Sequence, residues 1–184
     1  MPWRVANYGI QIMVVLCVDF VTTKQNMIGM LRSAQEQILF FSGNLSWANL
    51  KQGDKEVIDV LEEIAAKDIP LKFLGRVDIT SLKNIQKLIA INQRIGKERV
   101  EIRHCEQPVR AIIIDDKKAQ FKEIKYPEDY NREELDKKTY IFYEIYDKEW
   151  IEWIRKVFWN LFRKSVPASK RIKDLNTIQN IVKL

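Results

Sequence analysis

The feature that most constrains the fold is the stretch from Val100 to Asp116, which reads V-E-I-R-H-C-E-Q-P-V-R-A-I-I-I-D-D. It holds two apolar runs that are separated at Gln107-Pro108. Valine and isoleucine dominate, and Ala111 to Ile114 shows no alternation of polar and apolar residues. Such a run is typical of a strand that is buried on both faces of a sheet. We therefore predict two neighbouring strands, of which the second is central.

Strand and helix patterns alternate along the rest of the chain. Short runs rich in β-branched residues predict strands, and apolar residues at helical spacing predict helices between them. The predicted strands are 10–21, 38–41, 71–77, 100–103, 111–114, 119–124 and 139–146, and the predicted helices are 30–37, 54–68, 80–95, 148–162 and 171–184. This order predicts an α/β fold, a mixed β-sheet flanked by helices on both faces.

A cation and a carboxylate stand at the two ends of the predicted central strand. The pattern P-x-R-x(4)-D from Pro108 to Asp115 resembles the H-x-K-x(4)-D signature of the phospholipase D superfamily. In that family the histidine is the nucleophile on phosphorus, the lysine binds the phosphate and the aspartate supports the histidine. The resemblance implies that Arg110 stands at the phosphate-binding position and Asp115 at that of the aspartate, while Pro108 replaces the nucleophile.

A second part of the family pattern is also changed. The family continues, six residues after the aspartate, with G-S-x-N, whereas Lys122 to Lys125 reads K-E-I-K here. Across residues 10 to 165 the order of elements resembles one half of a phospholipase D-like protein. It looks most like the non-catalytic effector domains of archaeal sugar-responsive transcription regulators. The resemblance implies a ligand-sensing or regulatory module without a cofactor, which pairs as a homodimer.

The turn that follows the strand at 38–41 contains three candidates for lining a pocket. In doubly wound sheets the carboxyl ends of strands border the ligand crevice, which favours Asn44, Ser46 and Trp47 as ligand contacts. The alternative is a helix cap at Ser46 with the tryptophan packed beneath it. Arg110 and Asp115 are predicted to form a charge pair at the same cleft, with either a structural or an anion-binding role.

His104 is the only histidine of the chain and limits every catalytic hypothesis. A divergent phosphodiesterase or nuclease would need two copies of His104, one from each subunit of a homodimer. His104 precedes the position of the family nucleophile by four residues, which is about 13 Å along a strand. A structural or ligand-contacting role is therefore preferred. His104 and Cys105 point to opposite faces of a strand, so no metal site is predicted.

The charge of the chain is concentrated near its end. The net charge is +6, and six cations follow the last core helix, opposed there only by Asp174. These cations are Arg163, Lys164, Lys170, Arg171, Lys173 and Lys183. We predict a phospholipase D-like domain at 1–165 and a basic tail at 166–184, joined by a linker at 166–169. The tail either contacts phosphates of nucleic acid or is a solvated appendage.

Tryptophans widen the apolar stripe of the helix at 148–162. Trp150, Trp153 and Trp159 extend the stripe around the helix surface, which indicates burial on two sides. The second partner is either another subunit or the rest of a single large core. We predict a homodimer through the sheet edge or the face near residues 108–115, with help from this helix.

No segment of the sequence predicts a membrane span or a targeting signal. The most hydrophobic run, residues 10–21, is short of the roughly 20 residues that a spanning helix needs, and Gln11 and Asp19 interrupt it. The two cysteines, Cys17 and Cys105, lie in apolar contexts without metal or redox spacing. Free thiols and a cytoplasmic location are therefore expected.

Overall fold

The computed structural model describes residues 10–16, 27–52, 55–131, 135 and 137–182. The strands are β1 (Ile10–Leu16), β2 (Ile38–Phe41), β3 (Lys51–Gln52), β4 (Lys55–Glu56), β5 (Leu71–Gly75), β6 (Val100–His104), β7 (Ala111–Ile114), β8 (Lys118–Lys125), β9 (Thr139–Ile145) and β10 (Val166–Pro167). The helices are α1 (residues 27–32), α2 (Val57–Ala66), α3 (Leu82–Ile95), α4 (Lys148–Lys164) and α5 (Ala168–Val182). Short 3-10 helices occupy Ser46–Asn49 and Pro127–Asp129.

One large mixed sheet forms the centre of the fold. Its strand order is β1-β9-β8-β7-β2-β5-β6-β10, while β3 and β4 form a separate two-stranded sheet. Strands β2, β5 and β6 run parallel, and β7 runs antiparallel to both of its neighbours. Within β7, Ile113 and Ile114 are buried and Ile112 is half-buried. The predicted central strand is therefore confirmed, but β6 and β7 are not neighbours in the sheet, because β2 and β5 lie between them.

Alternate residues of the strands supply two hydrophobic cores, one on each face of the sheet. Phe40, Phe73 and Ile102 belong to the core that α1, α2, α3 and α5 cover. Leu39 and Leu74, one residue away along β2 and β5, point to the opposite face, which α4 covers. The predicted α/β fold, with a mixed sheet and helices on both faces, is confirmed.

The predicted helix at 30–37 is wrong in its second half. Helix α1 ends at Arg32, and the chain then turns before β2. The backbone N–H groups of Gln35, Glu36 and Gln37 donate to the carboxylate of Asp115 at 2.8–3.3 Å instead of continuing a helical ladder. A buried carboxylate that accepts several amides competes successfully with helix propensity.

The predicted linker at 166–169 is also wrong. Val166 and Pro167 form the edge strand β10, in register with His104 and Arg103 of β6. Proline is tolerated there because an edge strand has one side on which no ladder hydrogen bond is required. Helix α5 follows at once, and its Ala168 is buried. A domain boundary after residue 165 stays a prediction.

Several further expectations concern the whole chain. Cys105 is a half-buried free thiol, whereas Cys17 and the predicted strand residues 17–21 lie outside the described residues. Within the described part of the chain, no helix is long and apolar enough to cross a membrane. The same residues include no group of three or more potential metal ligands.

Candidate functional site

A cavity of about 310 Å³ opens where four strands end or begin. The carboxyl ends of β2, β5 and β6 lie at one edge of the sheet, and β7 starts at the same edge because it runs antiparallel to β2. The lining residues follow or precede these strands: Ser42, Gly43, Arg76, Cys105, Glu106, Gln107, Pro108 and Arg110. Ligand crevices of open α/β sheets occur at such edges, so this cavity is the candidate site.

Arg110 is the principal cation of the cavity. Its Nη1 donates to the backbone oxygens of Gln107 at 3.2 Å and of Val109 at 3.0 Å. Its guanidinium lies against Gly43, where an added Cβ would come within 2.9 Å of Nη2. Among the described residues, no carboxylate lies within 4.0 Å of this side chain. The charge of Arg110 is therefore held in place by neutral groups and is available to an anion.

Arg76 places a second positive charge in the same cavity. Its Nε lies 2.7 Å from Oδ2 of Asp78, which neutralises part of that charge. Partial burial and the nearby charge of Arg76 lower the pKa of Arg110. An arginine titrates so far above neutrality that Arg110 stays protonated. The two positive charges repel each other, and an anion bound in the cavity would reduce that repulsion.

The segment between β6 and β7 supplies the next part of the cavity lining. Pro108 lines the cavity and offers no nucleophilic atom. Gln107 donates through Nε2 to the backbone oxygen of Ser42 at 3.0 Å, while its buried Oε1 has no hydrogen-bond partner among the described residues. Glu106 adds a carboxylate and Cys105 a thiol. The cavity therefore combines two guanidinium groups with a few hydrogen-bonding groups and no histidine.

Asn44, Ser46 and Trp47 do not line this cavity. Trp47 donates through Nε1 to Oγ of Ser42 at 2.9 Å and stacks on Phe40 with ring centroids 5.2 Å apart. The backbone N–H of Ser46 donates to Oδ1 of Asn44, and no side chain caps the following 3-10 helix. The packed tryptophan thus agrees with the alternative hypothesis, but the helix cap at Ser46 does not form.

Arg110 and Asp115 do not form the predicted charge pair. They lie at opposite ends of β7, and Asp115 is buried with its carboxylate on the amides of residues 35–37. The Nζ of Lys117 is 3.9 Å from Oδ2 of Asp115. Asp115 is therefore a structural anchor in this arrangement, and Arg110 faces the cavity without it.

His104 ends β6 beside the cavity and is not one of its lining residues. Its Nδ1 accepts the backbone N–H of Val77 at 3.0 Å, so the neutral ring carries its proton on Nε2. Burial and the charge of Arg171 lower the pKa of His104, although Glu106 and Asp78 act in the opposite direction. The ring is thus held neutral as a hydrogen-bond acceptor for the backbone.

This lowered pKa predicts a pH dependence of stability. The unfolded chain binds the proton more readily, so the free energy of unfolding should fall as the pH drops below about 6.5, the ordinary histidine value. In His104→Asn the amide oxygen can still accept from Val77 but does not titrate. We expect its stability to be flat between pH 7.5 and 5.5, a range above the titration of the carboxylates. Urea unfolding at both pH values measures this, and equal pH dependence in the two proteins would contradict it.

Sequence reasoning missed most of the cavity lining. Ser42 and Gly43 follow the end of β2, and Arg76 follows the end of β5, so the rule that ligands bind at the carboxyl ends of strands would have selected them. Gln107 and Glu106 sit in the connection between two strands, and nothing in their local pattern distinguishes them from an ordinary loop. Only Arg110, among the predicted site residues, lies in the cavity.

Several solved structures have a fold similar to that of this chain. TrmBL2, an archaeal chromatin protein with a novel mode of DNA binding, matches with a TM-score of 0.60 and 17% identity over 84% of this chain. This chain spans about half of TrmBL2, 53% of its length. Nuc from Salmonella typhimurium, a phospholipase D family member, has a TM-score of 0.57 and 9% identity, covering 86% of this chain and 96% of Nuc.

NucT from Helicobacter pylori matches with the same TM-score of 0.57 and 12% identity, over 86% of this chain and 99% of NucT. No model of a known protein family matches the sequence, and no curated protein does. At such low identities the likeness establishes the fold alone. The chain therefore has a phospholipase D-like fold and resembles an archaeal chromatin protein in its architecture.

Proposed function

We propose that this protein is a non-catalytic phospholipase D-like module that binds a small anionic ligand and serves as a ligand-sensing or regulatory unit. The observation that carries the proposal is the joint presence of Arg110, Arg76 and Pro108 around one cavity. The cations that would hold an anion are there, and the position that resembles the family nucleophile holds a residue without a nucleophilic atom.

Chemistry of the covalent family type needs a nucleophile beside the bound phosphate. Pro108 supplies none, and Lys122 to Lys125, which replace the small residues and the asparagine of the family, are not among the residues that line the cavity. The Nδ1 of His104, the nucleophile of the alternative hypothesis, accepts the backbone N–H of Val77, and His104 does not line the cavity. These contacts support binding without turnover.

The dimensions of the cavity limit the ligand. About 310 Å³ is at the small end of the range for ligand pockets, roughly 300–1,000 Å³. A ligand of this size that carries one anionic group would contact Arg110 and could accept or donate hydrogen bonds at Glu106 and the loop to Pro108. A metabolite with one phosphate or carboxylate group suits these limits.

The first test combines turnover with binding. Purified protein should not hydrolyse bis-p-nitrophenyl phosphate or single- and double-stranded DNA above the background rate. Inorganic phosphate should bind in calorimetry, and Arg110→Gln should weaken that binding about tenfold or more, because hydrogen bonds to charged groups contribute about 1.5–3 kcal/mol.

Two controls accompany this test. Arg94→Gln removes an exposed arginine of α3 that pairs with Glu62 and does not line the cavity, and it should leave phosphate binding unchanged. Turnover that disappears in His104→Ala would overturn the proposal in favour of a divergent phosphodiesterase or nuclease.

Nucleic acid is a second candidate partner, favoured by the position of the basic residues. Lys170 and Lys173 are exposed on α5, and Arg163 and Lys164 are exposed at the end of α4. Likeness to TrmBL2, which is described as binding DNA, supports the same partner. Labelled DNA should then bind less tightly with added salt and in the variant with Lys170→Glu and Lys173→Glu; binding that neither change weakens would refute this role for the basic tail.

The proposal includes pairing of two copies. Strand β7 is hydrogen-bonded on both sides, so the segment around it offers no free sheet edge. The exposed aromatic surface lies instead on α4, where Trp150 and Trp153 are 46% and 54% exposed and pack edge to face at 5.3 Å. Large exposed aromatic groups act as anchors when they enter an interface.

Sedimentation equilibrium at micromolar concentration measures this pairing. We expect a species of about twice 21.8 kDa, and a shift towards 21.8 kDa in Trp153→Glu, because an anchor residue contributes about 2 kcal/mol or more, roughly 30-fold in the dissociation constant. Ile178→Glu is the matched control, since Ile178 is equally exposed, at 54%, on a different helix. A wild-type protein of 21.8 kDa alone would contradict pairing.

A further inference from the structure

We propose that the cavity recognises an anion that presents two oxygens side by side, a carboxylate or a phosphate. We further propose that Gly43 is a positioning residue, which leaves space for the guanidinium of Arg110 that binds this anion. The inference rests on the proposed function and names the ligand chemistry and a residue that sets it. It concerns the edge of the Arg110 guanidinium that makes no hydrogen bond to the described residues.

A guanidinium has five N–H donors in a fixed plane. In Arg110 the Nη1 group is directed at two backbone oxygens, those of Gln107 and Val109. Nε and Nη2, which form the other edge of the plane, have no acceptor among the residues that the structure describes. Two parallel donors at this spacing match the two oxygens of a carboxylate or phosphate. A lysine at this position would supply a point charge and no such fork.

The same contacts fix the orientation of the fork before any ligand arrives. Both acceptors of Nη1 belong to the segment that leads into β7, only one and three residues before Arg110. The side chain is thereby folded back on its own loop, next to Gly43 on the neighbouring strand end. Little side-chain freedom then remains to be lost on binding, which favours affinity.

Gly43 is what allows the guanidinium to lie so close to the backbone. A Cβ at this position would be 2.9 Å from Nη2, 3.2 Å from Cζ and 3.4 Å from Nε, and its three nearest atoms all belong to Arg110. The backbone of Gly43 is not in the left-handed region, so alanine is acceptable to the main chain. The flexible side chain of Arg110 would yield. Gly43→Ala should therefore displace the fork without unfolding the protein.

Gly43 also ties the second cation to the site. Its backbone oxygen accepts the N–H of Arg76 at 2.9 Å. Alanine retains that carbonyl, so this hydrogen bond remains in Gly43→Ala. The substitution thus separates the position of Arg110 from that of Arg76. Gly29→Ala is the matched control, because a Cβ at Gly29 would have no atom within 4 Å.

Proton–nitrogen NMR of the arginine Nε–H groups tests the inference, with the Arg110 signal assigned by its loss in Arg110→Lys. In ligand-free Gly43→Ala the Arg110 signal should move, and in Gly29→Ala it should stay. Sodium phosphate and sodium acetate should each shift it in the wild type, whereas sodium chloride of equal ionic strength should not. A response to one of the two probes alone would assign the ligand to that chemistry.

Phosphate affinity gives the second readout. We expect a loss of about tenfold or more in Gly43→Ala and in Arg110→Lys, which keeps the charge but removes the fork. In the Arg110→Lys background, Gly43→Ala should cost nothing further, since no guanidinium remains to be displaced.

The outcomes separate the two proposals. A wild-type signal that responds to neither phosphate nor acetate would refute the anion site itself. An Arg110 signal that stays in place in ligand-free Gly43→Ala would refute the positioning role, whether or not an anion binds. Equal phosphate affinity of Arg110→Lys and the wild type would refute two-oxygen recognition and leave an anion site that needs only charge.

Discussion

Replacing Asp115 by alanine should cost the protein about 3 kcal/mol or more of its free energy of unfolding, because three backbone donors lose their acceptor together. The carboxylate is 1% exposed and accepts from Gln35, Glu36 and Gln37. A buried donor left without a partner costs about 1–3 kcal/mol. In addition, Asp115 has φ of 54°, a left-handed conformation that aspartate tolerates better than alanine does.

Urea unfolding of Asp115→Ala and two companion variants measures this effect. Asp115→Asn keeps an acceptor oxygen and the tolerance for positive φ, so its loss should be smaller. Asp116→Ala changes the adjacent, exposed carboxylate and should stay within about 0.5 kcal/mol of the wild type. Equal losses in Asp115→Ala and Asp116→Ala would mean that the amides of residues 35–37 are satisfied in another way.

The role of Asp115 illustrates what the sequence could not supply. The chain separates Asp115 from its partners by about 80 residues, and no periodic pattern links a carboxylate to amides so far away. The predicted charge pair between Asp115 and Arg110 was wrong for a simpler reason. Five residues of a strand span about 16 Å, far beyond the reach of an ion pair, so strand geometry alone excluded the pairing.

The elements that the sequence predicted well are those whose pattern is repeated along the chain. Ala111 to Ile114 is a central strand because four apolar residues in succession have to be covered on both faces. Helix α3 ends where Gly96 adopts φ of 68°, as expected for a glycine C-cap. Such signals are contained in a few consecutive residues, so they can be recognised without knowledge of the tertiary structure.

The cavity, in contrast, depends on which strand ends meet. Gly43 and Arg110 are far apart in sequence, and they become neighbours because β2 pairs with β7 in antiparallel register. The resemblance to a family signature drew attention to Arg110, yet it also drew Asp115 into the site, although β7 separates the two. A sequence motif identifies residues that belong to one strand. A binding site also contains residues from neighbouring strands, which the motif does not identify.

The second large effect is expected at Phe158, in the middle of α4, which covers one face of the sheet. Phe158 is fully buried, meets Phe41 of β2 edge to face at 5.2 Å and stacks with Phe162 at 5.3 Å. The opposite face is covered by four helices, α1, α2, α3 and α5, so a cavity there can be closed in part by neighbours. Beneath α4 no second helix is present among the described residues to fill the space.

Phe158→Ala should therefore lower the free energy of unfolding by about 3–5 kcal/mol, the range for truncating a buried aromatic side chain. Trp153→Ala on the same helix is the matched control: Trp153 is 54% exposed, so as a monomer the variant should stay within about 0.5 kcal/mol of the wild type. Denaturant unfolding at low protein concentration compares them free of pairing. If Trp153→Ala lost as much as Phe158→Ala, the outer face of α4 would be buried within the subunit, and the aromatic surface proposed for dimerisation would not exist.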